Sequence, residues 1–233
     1  IKALRLIQVL PKSTPRASSP PIAYDTEYVA RQVLGTVPVE EDGSAHFKMP
    51  SRIPVYFQAL DENGLAIQSM RSSAYAMPGE TMTCLGCHEP KGEAGPAGLM
   101  PTRQALEREP SEIKPGPPGS KPFSFPRLVQ PVLDKKCLEC HKKHDDAPNL
   151  AASGGFSEAM KKAKLKKKNF FTASYVNLAP YAWCYDTRGG NALWAAENST
   201  GVRSVPGEVG AQVSELYKIL TTGSHKDKVD LTP

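Results

Sequence analysis

Long apolar runs are missing from this sequence: none approaches the ~18 residues a membrane-crossing helix needs, so no helical membrane span is expected. Aromatic residues make up only 7% of the 233 positions and hydrophobic residues 39%, a thin supply of side chains for filling a core. Neither sign of charge dominates, with 29 Lys and Arg against 24 Asp and Glu. A formal net charge of +5 gives little basis for nucleic-acid binding, so no nucleic-acid partner is expected. Histidine and cysteine are limited to five each, which makes the role of every one a tractable question. No internal repeat appears beyond two short cysteine motifs.

What the chain does have is proline and glycine, 22 and 18 residues, pointing to an irregular fold whose compactness depends partly on something other than side chains. Residues 33–70 alternate short β-rich runs with turn signals at Glu41-Asp42-Gly43 and Asp61-Glu62-Asn63-Gly64, a compact antiparallel β unit. Residues 11–32 hold four prolines and no clean period and read as a long loop. In residues 125–136 the apolar positions 128, 129, 132 and 133 predict a helix lying on a core and running into Cys137. Further helices are expected over 157–168, with a strongly basic face, and over 213–220. The fold class expected is α+β. An antiparallel β-sandwich-like unit over 1–90 is followed by a Pro/Gly-rich linker over 91–121 and a loop-rich, mainly helical cytochrome c-like domain over 122–233. Residues 1–10 read as a strand already under way and 230–233 as a helix start, so the chain is expected to be a segment of a longer protein, or one from which a signal peptide has been removed.

Two stretches carry the chemistry, Cys84-Leu85-Gly86-Cys87-His88 and Cys137-Leu138-Glu139-Cys140-His141. Two cysteines three positions apart can add across the two vinyl groups of a haem, while the next histidine places its imidazole on the iron. Chance gives such a pattern on the order of 0.002 times in a chain of this composition, and here it occurs twice. Two covalently bound haem c groups are therefore expected, attached through Cys84 and Cys87 and through Cys137 and Cys140, with His88 and His141 as iron ligands. Their apolar bulk would supplement the thin core, and their propionates would cancel much of the positive charge. Zinc held by the four thiolates is possible but not favoured: 49 residues separate Cys87 from Cys137, and zinc leaves the histidine after each pair unexplained. A disulfide or thioredoxin-like reading also leaves the histidines unexplained.

Three histidines remain as sixth ligands. His144 follows His141 too closely to reach the opposite face of the same haem and is expected in solvent. His46 lies in a β-run and reads as a surface residue. His225 follows a helix and a Thr-Gly break, is free to fold back, and is expected to ligate the second haem. For the first haem Tyr75, Met77 and Met82 are nearby, though packing is the plainer role for each, and the iron is otherwise open. Cys184 sits among aromatics and reads as a buried free thiol. The lysine-rich run 161–168 reads first as a solvated helix face and second as a dock for an acidic redox partner or a propionate.

Several segments together resemble one family. Gly35-Thr36-Val37-Pro38-Val39-Glu40-Glu41-Asp42-Gly43-Ser44-Ala45, Pro54-Val55-Tyr56-Phe57-Gln58-Ala59-Leu60-Asp61, Gln68-Ser69-Met70-Arg71-Ser72 and Pro78-Gly79-Glu80 ahead of the first motif are similar to the hydrazine synthase alpha-subunit family. So is Pro122-Phe123-Ser124-Phe125-Pro126-Arg127-Leu128-Val129-Gln130-Pro131-Val132-Leu133-Asp134 ahead of the second. The resemblance implies middle and C-terminal haem domains of a larger, secreted multidomain c-type cytochrome that begins with a β-propeller. It also implies that His141 and His225 hold the second haem from both sides. In the hydrazine-forming members the first haem is catalytic, is ligated by a tyrosine four residues after the motif histidine, and has that histidine turned toward zinc. Position 92 here is glycine. The departure implies a paralogue that does not form hydrazine.

Three functions follow as expectations. The first is a dihaem c-type cytochrome in extracytoplasmic electron transfer, working with a redox protein partner or other haem subunits. The second is a haem enzyme of the hydrazine synthase type with an open first haem. The third is a haem-stapled structural or filament subunit. Thioether attachment takes place outside the cytoplasm, so a periplasmic or extracellular location is expected.

Overall fold

A computed structural model describes residues 1–14, 22, 30–70, 72–84, 103–118, 120–153, 171–182 and 211–231. These fall into two compact units, one built from 1–10, 31–84 and 103–117, the other mainly from 118–153, 171–182 and 211–231.

The first unit is a five-stranded sheet formed by β1 (Ala3–Val9), β2 (Arg31–Pro38), β3 (Val55–Leu60), β4 (Ala66–Ser69) and β5 (Lys114–Pro115) in the order β4-β3-β1-β2-β5. Every pairing is antiparallel. Leu6 of β1, Val37 of β2 and Val55 of β3 meet at its centre, and Leu4, Leu34, Phe47, Met49, Ile53, Phe57 and Ile113 pack round them. Among the described residues there is one sheet in this unit, so the expected sandwich gives way to a single layer covered on its apolar face by loop residues. The reason is visible at residues 44–49, expected as a strand: Phe47 joins Ser111 by an isolated bridge and goes no further.

Local chemistry explains the turns. Asp61 closes the β3–β4 hairpin by accepting from the backbone N–H groups of Asn63 (2.9 Å) and Leu65 (2.8 Å), and Gly64 takes the left-handed φ of +74° there. β1 and β2 slip register between Leu6 and Ile7, opposite Gly35. Gly35 has φ +150°, and a Cβ on it would lie 2.0 Å from the carbonyl oxygen of Lys114. The glycine thereby lets β5 close on β2. Within the stretch expected as a linker, residues 103–117 belong to the sheet unit. Pro115 sits on the edge strand, where its missing N–H costs no ladder bond.

The second unit carries α1 (Phe125–Leu128), α2 (Gln130–Lys136), α3 (Leu138–His141), α4 (Ala173–Leu178) and α5 (Glu215–Thr221). The helix expected over 125–136 is broken at Val129 because Pro131 has no N–H to continue the ladder and starts a new turn instead. Leu133, Leu150 and Leu178 form the core, with Phe125, Val129, Cys137, Leu138 and Leu216 against them. Phe125 also meets Tyr175 edge to face at 5.0 Å. Thr172 and Ser214 cap α4 and α5 by accepting from the N–H groups of Tyr175 (3.3 Å) and Tyr217 (3.1 Å).

Candidate haem site in the helical unit

Helices α2 and α3 deliver the second cysteine motif. Leu133 turns inward, Cys137 follows one turn later at the junction, and α3 continues through Cys140 to His141. Cys137 is half-buried on the leucine core while Cys140, one turn on, is exposed. Burial pushes the Cys137 thiol pKa up. Both cysteines are free rather than joined to one another.

The His141 imidazole is oriented from behind. Its Nδ1 lies 2.9 Å from the carbonyl oxygen of Pro148, which can only accept, so Nδ1–H is the donor and Nε2 is the ring nitrogen left to meet a ligand. A metal-ligating histidine wants this arrangement: the second-shell bond fixes the tautomer and raises the basicity of the other nitrogen.

The His225 imidazole lies close by, the ring centroids 5.9 Å apart and the planes tilted by 36°. Two imidazoles bound to one metal through bonds of about 2 Å each have ring centroids ~6 Å apart, so the spacing suits an iron held between them. The end of α5 brings His225 to this place. The Gly223 N–H donates to Lys218 O (2.8 Å) and the His225 N–H to Ile219 O (3.1 Å), wrapping the chain back over the helix terminus. A Cβ at position 223 would sit 2.9 Å from Ile219 Cα, so the wrap needs glycine. Ser224 Oγ lies 2.9 Å from His225 Nδ1 and can hold that ring as Pro148 holds the other. Burial first, then the positive potential of His141 and Lys228, lowers the His225 pKa and favours the neutral, ligating form.

The donor set therefore fits a haem: two thiols at covalent spacing, a histidine with its lone pair freed, and a second histidine opposite. Among the described residues no three or more His, Cys, Asp or Glu side chains gather as a metal cage.

The remaining candidates separate clearly. His144 is exposed at the turn closed by Ala147 N–H to His144 O (3.0 Å). His46, expected on the surface, is half-buried instead, with a buried Nδ1 that has no hydrogen-bond partner. The cause is Ser111, whose N–H donates to His46 O (2.9 Å) and whose own carbonyl accepts from Lys48 (3.0 Å), drawing this strand inward. At the first motif Cys84 is exposed, and Cys87 and His88 lie outside the described residues, as do Gly92, Cys184 and the lysine run 161–168. Tyr75, Met77 and Met82, close before Cys84, are 51%, 52% and 44% exposed, unusual for large apolar side chains. Sequence reasoning missed Pro148 as the partner of His141, although a proline shortly after the motif was there to be noticed.

Comparison with known proteins places the chain in context. Residues 1–89 match the family described as the hydrazine synthase alpha subunit middle domain. Hydrazine synthase subunit alpha of Kuenenia stuttgartiensis is 36% identical over 63 residues, which are 27% of this chain and 8% of that protein. A solved structure of Kuenenia stuttgartiensis hydrazine synthase superposes with a TM-score of 0.55 at 20% identity, covering 96% of this chain and 38% of that one. The chain thus spans well under half of each relative, and the structural likeness speaks for the fold alone.

Proposed function

From its kinship with the hydrazine synthase alpha-subunit-like family, we propose that the chain is an extracytoplasmic dihaem c-type electron-transfer module. One haem would be attached to Cys84 and Cys87 with His88 as ligand, the other to Cys137 and Cys140 with His141 and His225 on its two faces. The observation that carries the reading is the facing pair of imidazoles, His141 braced by Pro148 and His225 brought round by the end of α5.

A bound haem supplies a one-electron couple. Everything else falls to the chain. His141 and His225 would both hold the iron of such a haem and would thereby leave no open position for a small substrate. Leu133, Leu150 and Leu178 bank Cys137 with apolar surface, which resists charge build-up. Pro148 and Ser224 lie within hydrogen-bonding distance of the two rings and would hold them in place on a bound haem. No helix among the described residues is long and apolar enough to cross a membrane, and the partner we propose is a redox protein or another haem subunit in a larger assembly.

A second reading is a haem enzyme of the hydrazine synthase type, active at the first haem. It is favoured by the match over residues 1–89 and opposed by Gly92, where that chemistry uses tyrosine. Absorption and electron paramagnetic resonance of the purified protein, with and without carbon monoxide, separate the two. Two low-spin irons indifferent to carbon monoxide support the carrier; one high-spin, carbon monoxide-binding iron transfers the argument to the first haem as an active site.

A further inference from the structure

The loop behind His141 is gripped more firmly than a surface turn requires. Pro148 presents its carbonyl to His141 Nδ1, and the next two carbonyls are each taken by a buried carboxamide. Asn177 Nδ2 donates to Asn149 O at 2.8 Å, and Gln130 Nε2 donates to Leu150 O at 3.0 Å and to Asp134 Oδ1 at 2.8 Å. Gln130 and Asn177 are only 5% and 3% exposed. Ser174, fully buried, donates its hydroxyl to Gln130 Oε1 and so decides which way that carboxamide faces. The loop then docks on the start of α4, with the N–H groups of Ser174 and Ala173 donating to Ala151 O (3.2 Å) and Ala152 O (3.3 Å).

Burying two carboxamides is costly unless each is well bonded, and both are spent here on backbone carbonyls directly following Pro148. Two helices, α2 through Gln130 and α4 through Asn177, thereby hold the two carbonyls that directly follow the one the imidazole uses.

We propose that Gln130 and Asn177 are positioning residues that tune the second haem by holding the Pro148 carbonyl on His141. The inference rests on the haem reading above. A firmly held acceptor draws the Nδ1 proton outward and leaves more electron density on Nε2, which favours the oxidised iron and lowers its potential. In this partly buried setting that bond is stronger than it would be in open water. Loosening the clamp lets the carbonyl drift, and the potential rises with the ligand pair unchanged.

The test uses the purified dihaem protein. Its parent form is characterised first: a second haem that is high-spin or binds carbon monoxide would sink the bis-histidine reading and this inference with it. With that established, Asn177→Leu, which keeps bulk and removes the donor, should shift the reduction equilibrium of the second haem about tenfold, ~59 mV upward for one electron. Its low-spin resonance should move as well. Ser174→Ala, a gentler change, should shift it less in the same direction and serves if Asn177→Leu does not fold. Val176→Ala loosens the same helix without touching the clamp and should leave the potential where it was. An unchanged potential in both clamp variants, or an equal rise in Val176→Ala, would overturn the assignment.

Discussion

The ring centroids of His141 and His225 lie 5.9 Å apart, although the two residues are 84 positions apart in the chain. Such a meeting closes a long loop, and the loop-closure entropy is set against ordinary packing plus whatever binds between the rings. If that partner is a haem iron, His225→Ala should leave both haems covalently attached and convert the second from low-spin to high-spin, with carbon monoxide now bound on reduction. A variant whose ferrous spectrum stays fully low-spin would show that another group is the ligand.

Gly223 offers a subtler probe of the same contact. A methyl group there would meet Ile219 Cα at 2.9 Å and Lys218 O at 3.1 Å, both backbone atoms that cannot step aside cheaply. Gly223→Ala should therefore push the chain off the end of α5 and draw His225 away, at a cost of roughly 1–3 kcal/mol. The expected result is a mixed-spin second haem whose low-spin fraction recovers when free imidazole is added. A wild-type spectrum would mean that the turn relaxes without moving His225.

In the sheet unit, Gly35 is the position most sensitive to a single methyl group. Its Cβ would fall 2.0 Å from Lys114 O and 2.6 Å from Ile113 Cγ2, so Gly35→Ala must unseat β5 or distort β2. The φ of +150° adds strain of its own, and together the loss should be about 2–4 kcal/mol. Urea unfolding of the parent and the variant checks this, and an unchanged midpoint would show that β5 contributes nothing to the stability of the sheet.

How far the sequence spoke for itself depended on whether the signal was local. The strands β2, β3 and β4 were legible because alternation and the Asp61 turn are short-range features. The break after α5, which brings His225 near His141, was visible in the sequence as well. What stayed hidden was long-range pairing. Lys114–Pro115 looks like linker by composition, yet pairs with Gly35 because glycine leaves room for it. His46 looks like a strand histidine facing water, yet Ser111, 65 residues on, draws it inward. Gln130 falls on a helix otherwise read for its apolar stripe, and nothing near it in sequence reveals that Ser174 and Leu150 take its carboxamide.

The choice between haem and zinc can be settled at Cys137. A zinc site would hold Cys137 as a thiolate, whereas a thioether carries no charge to bury against the leucine core. The chain should thus carry two irons that survive denaturation and chelator, with haem stain retained on a denaturing gel. Cys137→Ser should keep the second haem through Cys140 alone, moving its pyridine haemochrome band toward that of a haem with one unreacted vinyl group. Stoichiometric zinc released by chelator, with no haem mass on the chain, would instead make the two cysteine pairs a thiolate site and remove the basis for electron transfer.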